Sequence, residues 1–435
     1  MKRRLIFGLV AVLLALNLAV GAKIFFSQSR VAGQKDSPGA NLERFADVLE
    51  KVESSYVNGT NLTYHQLTTA ALKGMIGTLD PHSEFMDADD YQQLQDDTEG
   101  QFGGLGLVVA MKEGFVTVVA PMDDTPGFRA GILSGDRIVK VEGQDVGKTA
   151  LPDVVKMLRG KPGTKVSLTV ERASNVLKNF TLTRAIIQMA MVKDLNGKSE
   201  FPLGLDKIGY VRITQFGDQT GEELEAAIQK LKPQGMKALI IDLRWNPGGL
   251  LDEAVKVCEK FLPKNQLIVT TEGRDPKENT ALRAGGHGDE LNGMPIVVLV
   301  NLGSASAAEI VTGCLQDLHR AFILGEQTFG KGSVQSIFPL DDGSALKLTV
   351  AKYYTPSHKV IHEHGITPDS LVPMSDAEQA DLIIKRSPGG PESLNDQDRK
   401  RVENSRDIQL DRAEDLLKGI LLYGELSRPE KVVAK

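Results

Sequence analysis

Cysteine is scarce. Two residues in 435, Cys258 and Cys314, are too few for a disulfide framework or a cysteine-ligated metal centre. Both fall in apolar, helix-like stretches, "AVKVCEKFL" and "IVTGCLQDL", which suits small buried thiols; a single disulfide between them stays open at this level. Aromatic residues make up 5% of the chain, with one tryptophan, Trp245, so stacking platforms for single-stranded nucleic acid have little to build on. The formal charge of −6 provides no broad basic surface for a phosphate backbone. No nucleic-acid partner is expected. Apolar content of 41% is ordinary, and the length suits two or three domains.

Long apolar runs are missing too, except at the start. "MKRR" is followed by "LIFGLVAVLLALNLAVGA", an uncharged run that ends in small residues. Residues 1–22 read as an export signal cut after Ala22, or as an uncleaved inner-membrane anchor with its basic end inside. A buried core helix is the plainer reading. Export puts most of the chain in the periplasm or another extracytoplasmic space.

Texture divides the remainder. Residues 23–41 are small and polar, a linker. Residues 42–100 carry helical patterns in "LERFADVLEKVESSYV" and "TYHQLTTAALKGMIGTL". Residues 101–185 show short β-rich runs broken by Gly, Asp and Pro, a small β-rich module. Residues 186–375 alternate buried strands such as "KALIIDL" and "PIVVLVN" with amphipathic helices, which predicts an α/β layer with a largely parallel sheet. The hairpin "GSVQSIFPLDDGSALKLTVAKYYTP" closes that layer. Residues 376–435 return to charged helical patterns, and the last helix, "QLDRAEDLLKGILLY", has an apolar face.

Three turns can carry chemistry. In "VNLGSASAAEIVTGC" a strand ends and a helix opens, with serines between them. Helix N-terminal amides there suit the oxyanion of an attacked carbonyl, though Ser304 or Ser306 can equally serve as helix caps. "DLRWNPGGLLDEA" is a second strand-to-helix turn, whose Gly248 and Gly249 permit close approach of another segment. The third, "GEQTFGKGSVQ", nearly spells a phosphate-binding loop. Gly332 stands where Ser or Thr must follow the lysine, and a strand follows in place of a helix, so the nucleotide reading fails.

Lys331 is then either a solvated lysine or a base. A lysine base must be neutral to accept a proton, which burial without an anionic partner favours. Gln335, four residues on, shares a strand face with it and can orient the amine. His358, His362 and His364 in "PSHKVIHEHG" match no metal spacing and read as an exposed loop. "GGLGLVV" places glycines before a strand, where amides can cradle a peptide carboxylate; a plain strand-initiating turn is the alternative.

In combination, "LDPHS", "GLGL", "AGILSGDRIVKVEGQDV", "DLRWNPGG", "GSASAAEI", "FGKGSVQ" and "GITPD" resemble the C-terminal processing peptidases, Ser/Lys endopeptidases with an inserted PDZ domain. The resemblance spans about residues 42–373. It implies a mixed α/β core of the crotonase/ClpP-like kind over 186–375, a PDZ domain over 101–185, and helical N- and C-terminal parts. By the same resemblance Ser306 is the nucleophile, Lys331 the general base and Gln335 its orienting partner. Gly248 and Ala307 supply the oxyanion amides, while Leu105, Gly106 and Leu107 hold substrate C-termini. No metal or cofactor is implied. The expected partners are protein substrates, an adaptor protein and further copies of the chain. Trp245 departs from the smaller polar residue common at its position, and Ala308 from a frequent serine.

Overall fold

The computed structural model describes residues 37–426, apart from 60–61, 113, 123, 173–175, 205, 287, 387–390 and 392–393. The apolar run at residues 1–22 lies outside the described residues. No helix among those described is long and apolar enough to cross a membrane.

The described residues separate into two compact units, divided between Phe85 and Met86. In the first, helix α1 (Pro38–Ser55) is followed by α2 (Tyr64–Gly77). Helix α1 begins inside the stretch read as linker, with Pro at its first position, where a missing N–H costs nothing. A capping box opens α2: Gln66 donates its amide to the Thr63 hydroxyl and returns its side-chain oxygen to the Thr63 amide. After α2, the Asp80 carboxylate accepts from the amides of His82 and Ser83, fixing the "LDPHS" turn.

The second unit opens with α3 (Ala88–Glu99), then the β-rich module that the sequence outlines. A two-stranded antiparallel ribbon, β1 (Gln101–Gly104) with β7 (Ala185–Gln188), brackets it. Between them, β2 (Leu107–Lys112), β3 (Phe115–Pro121), β4 (Arg137–Val141), β5 (Lys165–Arg172) and β6 (Val176–Thr183) form an antiparallel sheet in that order. Helix α4 (Leu151–Leu158) packs Val154 and Leu158 into the same core as Val116, Val118, Ile138 and Val166.

The alternating region forms the expected layer. Strands β8 (Val192–Lys193), β9 (Ile208–Ile213), β10 (Ala238–Asp242), β13 (Ile296–Val300), β14 (Phe322–Gly325) and β17 (Ser370–Leu371) lie in that order, all parallel except β8. Residues of β10 and β13 are buried on both faces, which explains their uninterrupted apolar sequence. Leu239, Ile241, Val298 and Val300 pack against α5 (Thr220–Leu231), α6 (Leu251–Glu259) and α7 (Ala307–Asp317). Cys258 and Cys314 sit in this core as free buried thiols. Ala238, Ile240, Val297 and Leu299 face the other way, onto Leu410, Ala413 and Leu417 of α10 (Ile408–Leu426). A second, antiparallel layer joins β11 (Leu267–Gly273), β12 (Thr280–Arg283), β15 (Ser333–Pro339) and β16 (Ala345–Tyr354).

The apolar face of the last helix thus covers the back of the sheet, and a buried ion network pins the tail there. Arg244, fully buried, bonds both carboxylate oxygens of Asp242 and both of Asp407, just before α10. Arg386, in α8 (Asp376–Arg386), which α9 (Asp396–Asn404) follows, donates to the same two carboxylates, and Tyr210 donates its hydroxyl to Asp242. Burial alone would raise the Asp407 carboxyl, but Arg244 and then Arg386 outweigh it and hold the group below its ordinary range.

Asp407→Asn should lower unfolding stability by about 3 kcal/mol or more at neutral pH, because Arg244 keeps a buried charge with half its partners. The depressed carboxyl contributes its stability above the unfolded value of about 3.9 and loses it as pH falls below. Denaturant titrations across the acid range should show that limb in the unmodified protein and a flatter one in the variant. Superimposable curves would show that the tail is held by its apolar face alone.

Candidate active site

Two strand-to-helix turns meet at the carboxyl ends of β10 and β13, where open parallel sheets place their clefts. Ser304 ties them together: its hydroxyl donates to the Leu243 carbonyl at 2.8 Å and accepts from the Asn301 amide at 3.0 Å. That is a structural role, and it separates Ser304 from Ser306. Ser306 opens α7 in a conformation that L residues avoid, φ 54° and ψ −115°, and is nearly buried. Strained nucleophile turns between strand and helix have this character.

Gly248 packs directly on that turn. A Cβ added to it would come within 2.7 Å of the Ser306 Cβ and 2.8 Å of the Ala305 carbonyl, and its φ of 99° also demands glycine. Asn246 is the brace beneath. Its carbonyl accepts from the Ala305 amide, its side-chain nitrogen donates to the Ile213 carbonyl, and its side-chain oxygen accepts from the Gly248 amide at 2.8 Å. The Gly248 amide, expected as an oxyanion donor, is therefore engaged within its own turn. The Ala307 amide, at the first helical position, has no acceptor among the described residues.

The third turn, residues 326–332 between β14 and β15, is drawn in by Glu309. This buried carboxylate accepts from the Ser306 amide and the Lys331 amide on one oxygen, both at 2.9 Å. Its other oxygen accepts from the Gly330 amide and the Thr328 hydroxyl. The serine and lysine turns thus lie within two hydrogen-bond lengths of each other. Burial pushes the Glu309 carboxyl up, against the pull of Thr328, Gly330, Ser306 and Lys331. Sequence reasoning passes over Glu309, although "SAAE" carries the Ser-x-x-Glu capping signature.

Lys331 itself is half-buried. The Gln335 amide nitrogen donates to the Ser333 and Thr349 hydroxyls, so its nitrogen is committed within the hairpin. Lys331 lies in the turn before β15 begins at Ser333, so strand alternation does not set which way it faces relative to Gln335. The histidine segment is the loop expected after the strand, with His358 and His364 exposed, and its backbone has a further role. It braces the lysine turn: the Glu363 amide donates to the Gly330 carbonyl, and Gly332 lies so close to the His362 backbone that a Cβ would collide with it at 2.1 Å. His358 stacks on Tyr354 and pairs with Glu272, away from the other two.

In the β-rich module, β2 is the outer strand of its sheet, and Leu105 and Gly106 form the turn that leads into it. The Leu105 carbonyl accepts from Gly127 and the Gly106 carbonyl from Met122, whereas the amides of both residues find no acceptor among the described residues. Gly106 has φ 67° and no space for a side chain, with Thr125 2.2 Å from an added Cβ. Leu105 is buried in the module's core, and Leu107 packs at its margin.

Comparison with known proteins agrees with this layout. Residues 207–372 match the peptidase family S41 model, and residues 117–172 match a PDZ domain model. The carboxy-terminal-processing protease of Bartonella bacilliformis is 42% identical over 378 residues, which cover 86% of this chain and 83% of that protein. A probable CtpA-like serine protease of Staphylococcus aureus is 38% identical over 82% of this chain and 69% of its own length. Among solved structures, the photosystem II D1 C-terminal processing protease aligns with 80% of this chain and 98% of its own, at 30% identity and a TM-score of 0.43.

Glu309→Gln would turn an amide group towards a ring of donors. Amide exchange at Gly330 and Lys331, followed by mass spectrometry, should accelerate by roughly 10- to 100-fold, the loss expected for hydrogen bonds to a charged group. Unchanged protection would show that the two turns hold without the carboxylate.

Proposed function

The chain belongs to peptidase family S41 and is a C-terminal processing serine protease with a PDZ domain; on that basis we propose that Ser306 is its nucleophile and Lys331 its general base. The observation that carries this reading is the shared Glu309 oxygen, which holds the backbone of both residues at one point. The Lys331 amine, in its neutral form, takes the hydroxyl proton as Ser306 Oγ bonds to the scissile carbonyl carbon. Negative charge collects on the carbonyl oxygen, next to the open Ala307 amide at the positive end of α7. Gly248 adds a second donor when its amide leaves the Asn246 side chain, a change confined to one short turn. The protonated amine then delivers its proton to the leaving nitrogen as the peptide bond breaks. Water attacks the acyl-enzyme by the same route in reverse and restores the serine.

Gln335 lies on the hairpin that continues from Lys331, and its place in the reading is to orient that segment through Ser333 and Thr349. Substrate tails enter through the PDZ domain. An extended peptide adds beside the outer strand β2, and its carboxylate meets the amides of the Leu105–Leu107 turn. The basic start and apolar run at residues 1–22 support export, so the substrates are taken to be exported proteins.

Ser306→Ala should reduce turnover on the order of 10⁶-fold, and Lys331→Ala should be similarly severe. Purified protein incubated with a substrate bearing an apolar C-terminus, with fragments mapped by mass, reads both variants. Full cleavage by Ser306→Ala would reject the nucleophile. Tight capture of C-terminal peptides without cleavage by the unmodified protein would favour a binding scaffold instead.

A further inference from the structure

Two cations beside the serine turn form no ion pair among the described residues. Lys193 on β8 and Arg212 on β9 are direct cross-strand partners, an arrangement in which like charges repel. Val211 and Ile213 point into the core, so Arg212 lies on the opposite face of β9 with Tyr210. The Arg212 guanidinium lies 5.8 Å from the centroid of the Trp245 ring, and Arg244 lies 5.4 Å from the same ring. Arg244 is fully engaged by Asp242 and Asp407. Arg212 faces Asp242 across the strands and helps hold that carboxylate below its ordinary range, but Asp242 is already bonded by Tyr210, Arg244 and Arg386, and the Arg212 Nε is buried without a hydrogen-bond partner among the described residues. The acidic group that offsets Lys193, Glu223, already accepts from the amides of Met191 and Val192. Burial, and then the Arg212 charge, push the Lys193 amine below its ordinary range.

The location ties this pair to the reacting centre. Ile213, next to Arg212, receives the Asn246 side chain, whose backbone carbonyl holds the Ala305 amide of the serine turn. Trp245 directly precedes Asn246 and stands where the resembled family commonly has a smaller polar residue. A half-buried guanidinium with an idle Nε, set beside an indole, offers a planar fork suited to a carboxylate.

We propose that Arg212 and Lys193, backed by Trp245, form a subsite for a carboxylate of the bound polypeptide. That group is the side chain of Asp or Glu near the scissile bond, or the free C-terminus. Occupancy relieves the repulsion between the two cations and gives the enzyme a preference for acidic segments. The inference rests on Ser306 as the reacting centre, and its test separates the two.

Matched peptides carry Glu or Gln at each position flanking the cut, all C-terminally amidated; a second set compares free and amidated termini with neutral flanks. Unmodified full-length protein should show KM lower by on the order of 10- to 100-fold for the charged member of one set, with little change in kcat. Because the PDZ domain also tells free from amidated termini, the set whose response Arg212→Gln and Lys193→Met remove identifies which carboxylate the subsite reads. In Arg212→Gln and Lys193→Met that preference should fall towards one. Lys193→Met should melt no lower than the unmodified protein, since it removes a desolvated amine repelled by Arg212, whereas a structural role predicts the reverse; Arg212→Gln also removes a charge that favours the Asp242 carboxylate, so its melting curve serves as a check of folding. Equal cleavage within both sets by the unmodified protein, survival of every preference in both variants, or a drop in Tm in Lys193→Met would overturn the subsite. Absence of cleavage in every peptide would instead count against Ser306, and calorimetric binding of the Glu and Gln peptides to Ser306→Ala then reads the subsite alone. Equal affinity there would overturn it.

Discussion

The Glu309 carboxylate sits in the first turn of a buried helix with four donors aimed at it, one from the serine turn and three from the turn that carries Lys331. An ionised group with no solvent would be costly alone, but four hydrogen bonds satisfy its oxygens and make the burial tenable. The arrangement also solves a problem of charge. A carboxylate bonded to a lysine amine would favour the ammonium form and spoil a base. Glu309 instead bonds the lysine's backbone amide, so it fixes the position of the residue through the main chain.

The sheet supplies the rigid frame for these turns. Parallel strands buried on both faces cannot slip without exposing apolar rows, so the carboxyl ends of β10 and β13 are fixed relative to each other. The C-terminal tail belongs to that frame. Without α10, the back of the sheet would expose Ala238, Ile240, Val297 and Leu299. Arg244 makes the connection specific, because its guanidinium needs Asp242 from the sheet and Asp407 from the tail at once. Arg244 is also one residue from Trp245 and two from Asn246, so the tail's anchorage and the brace under Ser306 share one short segment.

Much of this architecture is legible in the residues themselves. Uninterrupted apolar strands separated by amphipathic helices imply a parallel layer, and the glycine-broken β runs imply a separate module; both follow from periodicity, which is local. What stays hidden depends on contacts between distant segments. Ser304 and Ser306 are equivalent as sequence, and only the Leu243 carbonyl, sixty-one residues away, assigns the first to structure. The histidine segment reads as an exposed loop and is one, but nothing in its residues shows that its backbone packs on Gly330 and Gly332. Gln335 is placed by a two-residue alternation that does not extend to Lys331, because the strand starts at Ser333. Glu309 is readable as part of a capping box, but nothing local to the helix shows that the same carboxylate reaches a second turn.

Strain is distributed in this site by a single rule. Ser306 and Trp245 both adopt positive φ, 54° and 57°, a region that costs a residue with a side chain on the order of 1–3 kcal/mol. In each case the strained residue's own amide is caught by a buried side-chain oxygen: Ser306 by Glu309, Trp245 by Asn301. Each acceptor also serves a neighbouring turn, Glu309 at Gly330 and Asn301 at Gly303. Relaxing either residue to an ordinary conformation would therefore leave its own amide without that acceptor and loosen the link to a second loop, which costs more than the strain relieved. The serine turn and the tryptophan wall are held in unfavourable backbone states because each is latched to a group that another segment needs.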